Sequence, residues 1–517
     1  MTTLREGDLL WQPSESDIEK ANLTAYMRWL RAERGLDFAD YPALWHWSVT
    51  EIEAFWASLV DYFGIVYSQP WTAVLARRVM PGATWFDGMR LNYAENIFAK
   101  MTADRPMMVF KNEQNAPVEI SWQTVYAKVN RLVAVLRGMG VTQGDRVVAY
   151  MPNIPETIIA LLATASIGAI WSSCSPDFGS RSVLDRFVQI EPKVLLAVDG
   201  YWYGGKKFDR RKVLAQLQAA LPTVQQTILV PQLDTSLDGL RDTVLWDVVL
   251  DSAEPPTKIP FTQLPFDHPL WVLYSSGTTG LPKPIVQGQG GILLEHAKAT
   301  TLHNDLKPGD RFFWYSSTGW MMWNYLVGSL LTGATIVLYD GSPAYPDIGT
   351  TFALAEQVGV TYFGTSAAFI SACGKAGIQP NQQYDLSKIR AVGSTGSPLS
   401  VDGFQWVYEH INRRLALESL SGGTDLCTAF VGGARIRPIY VGELQGASLG
   451  AKVQAFDEAG QAVFDQVGEL VISEPMPSMP LYFWGDEGDK RYRASYFAMY
   501  PNIWRHGDWI QFNQRGG

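Results

Sequence analysis

The chain has 517 residues, 47% of them apolar, with 42 basic against 51 acidic side chains and a formal net charge of −9. With a mean hydropathy of −0.03, this is a globular composition long enough for roughly three to five compact units around a large core. The acidic balance excludes nucleic acid held broadly through its phosphates, so any basic site is local. Met1-Thr2-Thr3-Leu4-Arg5-Glu6-Gly7-Asp8 lacks the order of an export signal, and the apolar stretch 157–171 is too short to cross a bilayer. Cys174, Cys373 and Cys427 are odd in number and far apart, which points to reduced thiols, a cytoplasmic setting and no metal knuckle.

Residues 1–100 read as a helical extension rich in tryptophan. Leu44-Trp45-His46-Trp47-Ser48 and Phe55-Trp56 suit amphipathic helices capped by Ser48 or Thr50. From Arg146 the pattern predicts strand 146–151, helix 155–168, strand 169–174, helix 180–188 and strand 193–198, the rhythm of βαβ units around a mostly parallel sheet. A second alternating set predicts helix 290–302, strand 311–314, helix 322–332 and strands at 335–339, 360–363 and 389–394. After about residue 435 the runs become glycine-punctuated, as in Gly468-Glu469-Leu470-Val471-Ile472, and suit a small antiparallel barrel. The expected fold is α/β, with two similar α/β layers of mostly parallel sheets and a β-barrel subdomain. The expected units are 1–100, 101–270, 271–434 and 435–517.

Between the two alternating sets lies Tyr274-Ser275-Ser276-Gly277-Thr278-Thr279-Gly280-Leu281-Pro282-Lys283-Pro284. The apolar run 270–274 reads as a buried strand that ends in this loop. Gly277 and Gly280 let backbone N–H groups turn inward, Ser276, Thr278 and Thr279 add hydroxyl donors, and Lys283 adds a positive charge, a set able to wrap a polyphosphate. The order differs from the Gly-Lys-Ser/Thr of a Walker loop.

Three further segments accompany it: Gly393-Ser394-Thr395-Gly396-Ser397-Pro398, Ser421-Gly422-Gly423-Thr424-Asp425 and His506-Gly507-Asp508-Trp509. In order and spacing the four resemble the adenylate-forming superfamily of acyl-CoA synthetases, peptide-synthetase adenylation domains and luciferases. Such enzymes convert an acid and ATP into an acyl-adenylate and pyrophosphate, and then let the coenzyme A thiol displace AMP. The resemblance implies that Ser275, Ser276, Gly277, Thr278, Thr279, Gly280 and Lys283 meet the β- and γ-phosphates, with Thr278, Lys283 and Asp425 in catalytic roles. It implies that Gly396, Ser397 and Pro398 wall the adenine, Gly423 and Thr424 reach the α-phosphate, Asp425 holds Mg²⁺, and Asp508 accepts the ribose hydroxyls. His296 reads as a core histidine.

Leu44-Trp45-His46-Trp47-Ser48-Val49, Pro81-Gly82-Ala83-Thr84-Trp85-Phe86, Leu91-Asn92-Tyr93-Ala94-Glu95-Asn96, 171–179 and Trp320-Met321-Met322-Trp323 are most similar to the acetoacetyl-CoA synthetase branch. The resemblance then implies an acyl slot shaped by Trp320, Met321, Met322, Trp323 and Gly422. No carboxylate stands in 318–324 to meet an amino group, and Gly422 occupies the place of a pocket-capping tryptophan in acetate-activating relatives. Acetate is therefore expected to be poor, and Gly422→Trp to restore it. Asn324 or Ser421 would meet the 3-keto oxygen, and Met321-Met322-Trp323 reads equally as helix packing.

Lys206, Lys207 and Arg210 match a basic pair that related synthetases set against the 3′-phosphate of coenzyme A, or form a solvated helix start. Family members continue past the ribose-binding aspartate into a mobile domain carrying a catalytic lysine, whereas this chain ends nine residues after Asp508. The expectation is a truncated form of the ligase, largely inactive. A ligase for another short or medium acid and a nucleotide-binding scaffold without turnover remain as alternatives.

Overall fold

The computed structural model describes residues 4–276 and 280–517, and two sheets carry its parallel strands. The first has eight, in the order Thr243–Leu245, Gln226–Val230, Val194–Val198, Arg146–Tyr150, Ile170–Cys174, Pro269–Ser275, Lys283–Gly288 and Tyr482–Phe483. The first six run parallel and the last two pair antiparallel. All five residues of Val194–Val198 are buried, as a parallel strand covered on both faces requires. The second sheet has seven, in the order Ala416–Ser419, Ala391–Thr395, Tyr362–Ser366, Arg311–Trp314, Thr335–Asp340, Pro106–Asn112 and Val118–Ser121. It is parallel up to its last pair.

The α/β layers and most strand positions agree with the sequence reading, but the expected boundary at 270 falls inside the first sheet. Pro269–Ser275 and Lys283–Gly288 complete that sheet, while Pro106–Asn112 crosses to the second. Periodicity identifies strands without saying which sheet recruits them.

Helices Pro155–Ser166, Gln289–Lys298 and Met321–Gly328 are buried nearly all round, the pattern of a helix enclosed by protein. They share one core with strands of both sheets, including Val147, Leu196, Phe312 and Val392. Gly291 lets the second helix approach closely, since a Cβ there would lie 1.9 Å from the Pro477 carbonyl oxygen.

Two local expectations are corrected. Helix Tyr41–Thr50 is capped by Asp40, whose carboxylate accepts from the Ala43 N–H at 2.9 Å, and helix Ile52–Phe63 has no side-chain cap. Ser48 sits inside the first helix, donating to the Trp45 carbonyl at 2.7 Å and accepting from the Gly450 N–H at 2.9 Å. Thr50 likewise donates back to the His46 carbonyl. Beyond residue 435, Ala462–Val463, Val453–Phe456, Gly468–Ile472 and Trp504–Ile510 pair in that open order as a four-stranded antiparallel sheet, where a barrel was expected. All three cysteines are free and buried, and no described helix is long and apolar enough to cross a membrane.

Candidate active site

Loops that leave the carboxyl ends of parallel strands meet around one cavity of about 530 Å³, the place where open α/β sheets bind ligands. Gly396, Ser397 and Pro398 follow strand Ala391–Thr395, and Gly422, Gly423 and Thr424 follow Ala416–Ser419; all six line the cavity, as does Asp508. Trp320, Met321 and Met322 close it from the start of helix Met321–Gly328.

The strand pair that frames the glycine-rich loop is tied to the Thr424-Asp425 turn through Gln287. The Trp271 indole N–H donates to Gln287 Oε1 at 2.6 Å, and Gln287 Nε2 donates to the carbonyls of Thr424 and Asp425 at 3.2 and 2.8 Å. Gln287 is fully buried, so its amide has no water to turn to and holds the turn in register. Ser275 Oγ donates to Asp425 Oδ1 at 3.4 Å, and Lys283 Nζ lies 3.7 Å from the same oxygen. The Tyr496 hydroxyl also donates to it. Ser276 and Gly280 are exposed; Gly277, Thr278 and Thr279 lie outside the described residues.

His506 packs against Gly423, where a Cβ would come 2.6 Å from its ring, and stands 3.5 Å from the Asp508 carboxylate. Burial pulls its pKa below the ordinary value, with Asp425 and Asp508 pulling the other way. Asp508 itself is exposed. Thr428, in the cavity wall, donates to Glu295 at 2.8 Å, and Glu295 pairs with Lys298 at 2.9 Å, both fully buried. Buried charges held in this way stay paired or destabilise the fold.

Three expectations on the acid side change. Trp323 does not line the cavity: it is fully buried, its indole N–H donates to Asn153 Oδ1 at 3.0 Å, and its ring stacks on Trp171. Of the two residues weighed for the keto oxygen, Ser421 lines the cavity; Asn324 is buried outside the lining, its amide without a partner among the described residues. Gly422 does line the wall, but it pairs with Ala429, and a Cβ would sit 2.1 Å from the Thr428 carbonyl oxygen. Gly422→Trp would therefore force the hairpin apart before it could refill an acyl slot.

His296 is a core histidine, as expected: Nε2 donates to the Cys427 carbonyl at 2.8 Å, and burial lowers its pKa to about 4. Lys206 and Lys207 are exposed on the hairpin of Gly200–Tyr203 and Lys206–Asp209. Arg210 is committed to that hairpin, its guanidinium 5.2 Å over the Tyr201 ring and 2.9 Å from its hydroxyl. Beside the hairpin is a second cavity of about 550 Å³, lined by Tyr201, Tyr203, Asp177 and Asp340 among others, and it shares Trp320 with the first. Sequence reasoning missed Gln287, Tyr496, Thr428 and this second cavity, whose parts are scattered along the chain.

Residues 96–483 match the AMP-binding enzyme family, and residues 41–97 match the acetyl-coenzyme A synthetase N-terminus. An acetoacetyl-coenzyme A synthetase of Rhizobium meliloti is 42% identical over 98% of this chain and 78% of its own length. The chain belongs to the AMP-binding enzyme family, among its acetoacetyl-CoA synthetases. The mouse (Mus musculus) acetoacetyl-CoA synthetase is 38% identical over 99% of this chain and 78% of its own. A solved acetoacetyl-CoA synthetase from Streptomyces lividans superposes with a TM-score of 0.95 at 49% identity, covering 98% of this chain and 79% of that one. The chain spans 78% of the length of the Rhizobium meliloti enzyme and 79% of the solved Streptomyces lividans one. Matches at this level run through essentially the whole chain and more than three quarters of each relative. The cavity has a polar wall at one end, with Thr395, Ser397, Ser421 and Thr424, and an apolar wall at the other, with Trp320, Met321 and Met322.

Proposed function

We propose that this protein joins acetoacetate to coenzyme A at the expense of ATP, through an acyl-adenylate, in the cytoplasm. The observation that carries this reading is that one cavity brings Gly396–Pro398, Thr424 and Asp508 together with Trp320, Met321 and Met322. Adenine lies against Gly396, Ser397 and Pro398, Asp508 accepts the ribose hydroxyls, and Gly423 and Thr424 receive the α-phosphate. Ser275, Ser276, Gly280 and Lys283, with Gly277, Thr278 and Thr279, take the outer phosphates. Met321 and Met322 cover the carbon chain, so that the carboxylate faces Thr424.

An acid oxygen then attacks the α-phosphorus as the bond to pyrophosphate breaks. In the second step the coenzyme A sulfur attacks the acyl carbon, its proton is lost and AMP departs. Lys283 offsets the charge that develops on the phosphates. Asp425 supplies hard oxygen beside a hydroxyl, the donor type that suits Mg²⁺, and among the described residues no cluster of three metal-ligating side chains surrounds it. Water and phosphate oxygens would complete such a shell, and the ion would neutralise charge on the triphosphate. Coenzyme A lies with its 3′-phosphate by Lys206 and Lys207 and its thiol arm in the second cavity, where Trp320 forms the partition between acceptor and adenylate.

Calorimetry with ATP and then acetoacetate, butyrate or acetate, paired with pyrophosphate release, tests the reading. Acetoacetate should bind most tightly and release pyrophosphate fastest. Preference for acetate, or nucleotide binding without turnover of any short acid, would replace it with one of the alternatives above.

A further inference from the structure

Tyr496 ends the helix Lys490–Tyr496, and its ring lies flat on the Trp504 indole, with centroids 3.8 Å apart at 13°. Phe483, Tyr492 and Phe497 surround it. Space filling alone would be served by phenylalanine, yet the hydroxyl occupies a specific position. It donates to Asp425 Oδ1 and accepts from Lys283 Nζ at 3.2 Å, while Nζ lies 4.7 Å above the same ring. One phenol thus bridges the loop's cation and the neighbouring carboxylate, two groups that stand only 3.7 Å apart.

Those two groups have to turn to different partners when a metal–triphosphate enters, the ammonium to phosphate oxygens and the carboxylate to the cation. A hydroxyl proton aimed at Oδ1 repels a cation that seeks that oxygen, and the bridge keeps Lys283 on the carboxylate side. We propose that Tyr496 is a positioning residue that holds Asp425 and Lys283 together, and that an entering metal–triphosphate must displace its hydroxyl. This rests on the nucleotide reading above. The expected consequence is a pair of charges that satisfy each other, with a threshold that only nucleotide carrying its cation overcomes.

The experiment is calorimetry of ATP with Mg²⁺ on the whole protein and on Tyr496→Phe and Tyr492→Phe. Tyr492 belongs to the same aromatic cluster, but its hydroxyl donates to the Pro480 carbonyl, away from the site. Tyr496→Phe should bind about tenfold more tightly, the scale of one hydrogen bond to a charged group, with Tyr492→Phe unchanged. Equal or weaker binding by Tyr496→Phe overturns the proposal, and so does the same gain in Tyr492→Phe, which would mark general loosening. Failure of the unaltered protein to bind ATP with Mg²⁺ overturns the nucleotide reading and this proposal together, whereas binding without the gain overturns this proposal alone. Should Tyr496→Phe not fold, hydrogen exchange on the unaltered protein decides: amides of 490–497 should exchange faster once ATP and Mg²⁺ are bound, and unchanged or slower exchange overturns it.

Discussion

The two ends of the cavity are built differently. The nucleotide end consists of segments that follow strand ends, the turn Gly396–Pro398 and the short hairpin strand Ser421–Gly423 with Thr424, which lie outside the two large sheets. The acid end is the first turn of a helix buried on every side, where each residue has a packing duty and only some reach the cavity. Apart from the closely packed Gly422 and Gly423, the nucleotide end can therefore be altered in function at little cost to stability, whereas a change in the helix moves both together. Trp320 and Trp323 put that contrast to its hardest test. Trp323→Ala should destabilise the fold by about 3 to 5 kcal/mol, the cost of deleting a buried indole, read from denaturant melts. Trp320→Ala, half-buried between two cavities, should cost less and raise the KM for acetoacetate instead. A larger loss for Trp320 would reverse the assignment.

On the nucleotide side, Asp425→Ala is expected to lower acetoacetate-dependent pyrophosphate release about 10²- to 10³-fold, the usual effect of removing one charge-organising group, with the fold retained. An activity within a few-fold of the unaltered protein would remove Asp425 from the metal and phosphate roles.

The same contrast explains what the sequence disclosed. Strand Arg311–Trp314 was legible residue for residue, and the turn carrying Thr424 was legible because glycines and hydroxyls with no apolar period stand out against buried strands, while Asp508 stood out beside Gly507 within strand Trp504–Ile510. Trp323 was not, because a helix enclosed on all sides has no polar stripe to say which face meets the cavity. Gln287 and Tyr496 were hidden for another reason. Gln287 is an internal strand residue and Tyr496 ends a short helix, and each acquires its role only when the fold brings it to Asp425, Gln287 within 2.8 Å of its carbonyl and the Tyr496 hydroxyl against its carboxylate. The clash at Gly422 is likewise a property of the Thr428–Ala429 backbone facing it rather than of the glycine.

A smaller effect separates the sheet from the turn it feeds. Glu418 ends a fully buried stretch of strand just before the cavity and accepts from the Tyr362 hydroxyl at 2.7 Å and from Asn304 Nδ2 at 2.8 Å. Burial holds its carboxyl proton, raising the pKa from 4.5 to about 7 despite those donors. Below the unfolded value both states are protonated and stability is complete. Between there and about 7 the unfolded chain loses its proton while the folded one keeps it, so stability falls as pH rises through that window. Glu418→Gln removes the titration and retains an oxygen for both donors. Its stability relative to the unaltered protein should grow with rising pH by up to about 3 kcal/mol, measured by denaturant midpoints at successive pH values. A difference that stays constant with pH would show that Glu418 ionises normally.

The exposed hairpin should give the least. Lys206 and Lys207 stand in water, so removing either charge is worth about 0.2 to 1 kcal/mol, roughly a 1.4- to fivefold rise in the KM for coenzyme A with the KM for ATP unchanged. Because the contact is solvated, the effect should shrink as salt rises beyond about 0.15 M, where charges screen within roughly 8 Å. Arg210→Ala offers the counterpart, since its guanidinium is stacked on Tyr201 and its loss removes packing from the hairpin wall of the second cavity. Its effect on coenzyme A should therefore persist at high salt. If the lysine and arginine variants respond alike to salt, the lysines do not meet the phosphate and the hairpin acts by shape alone.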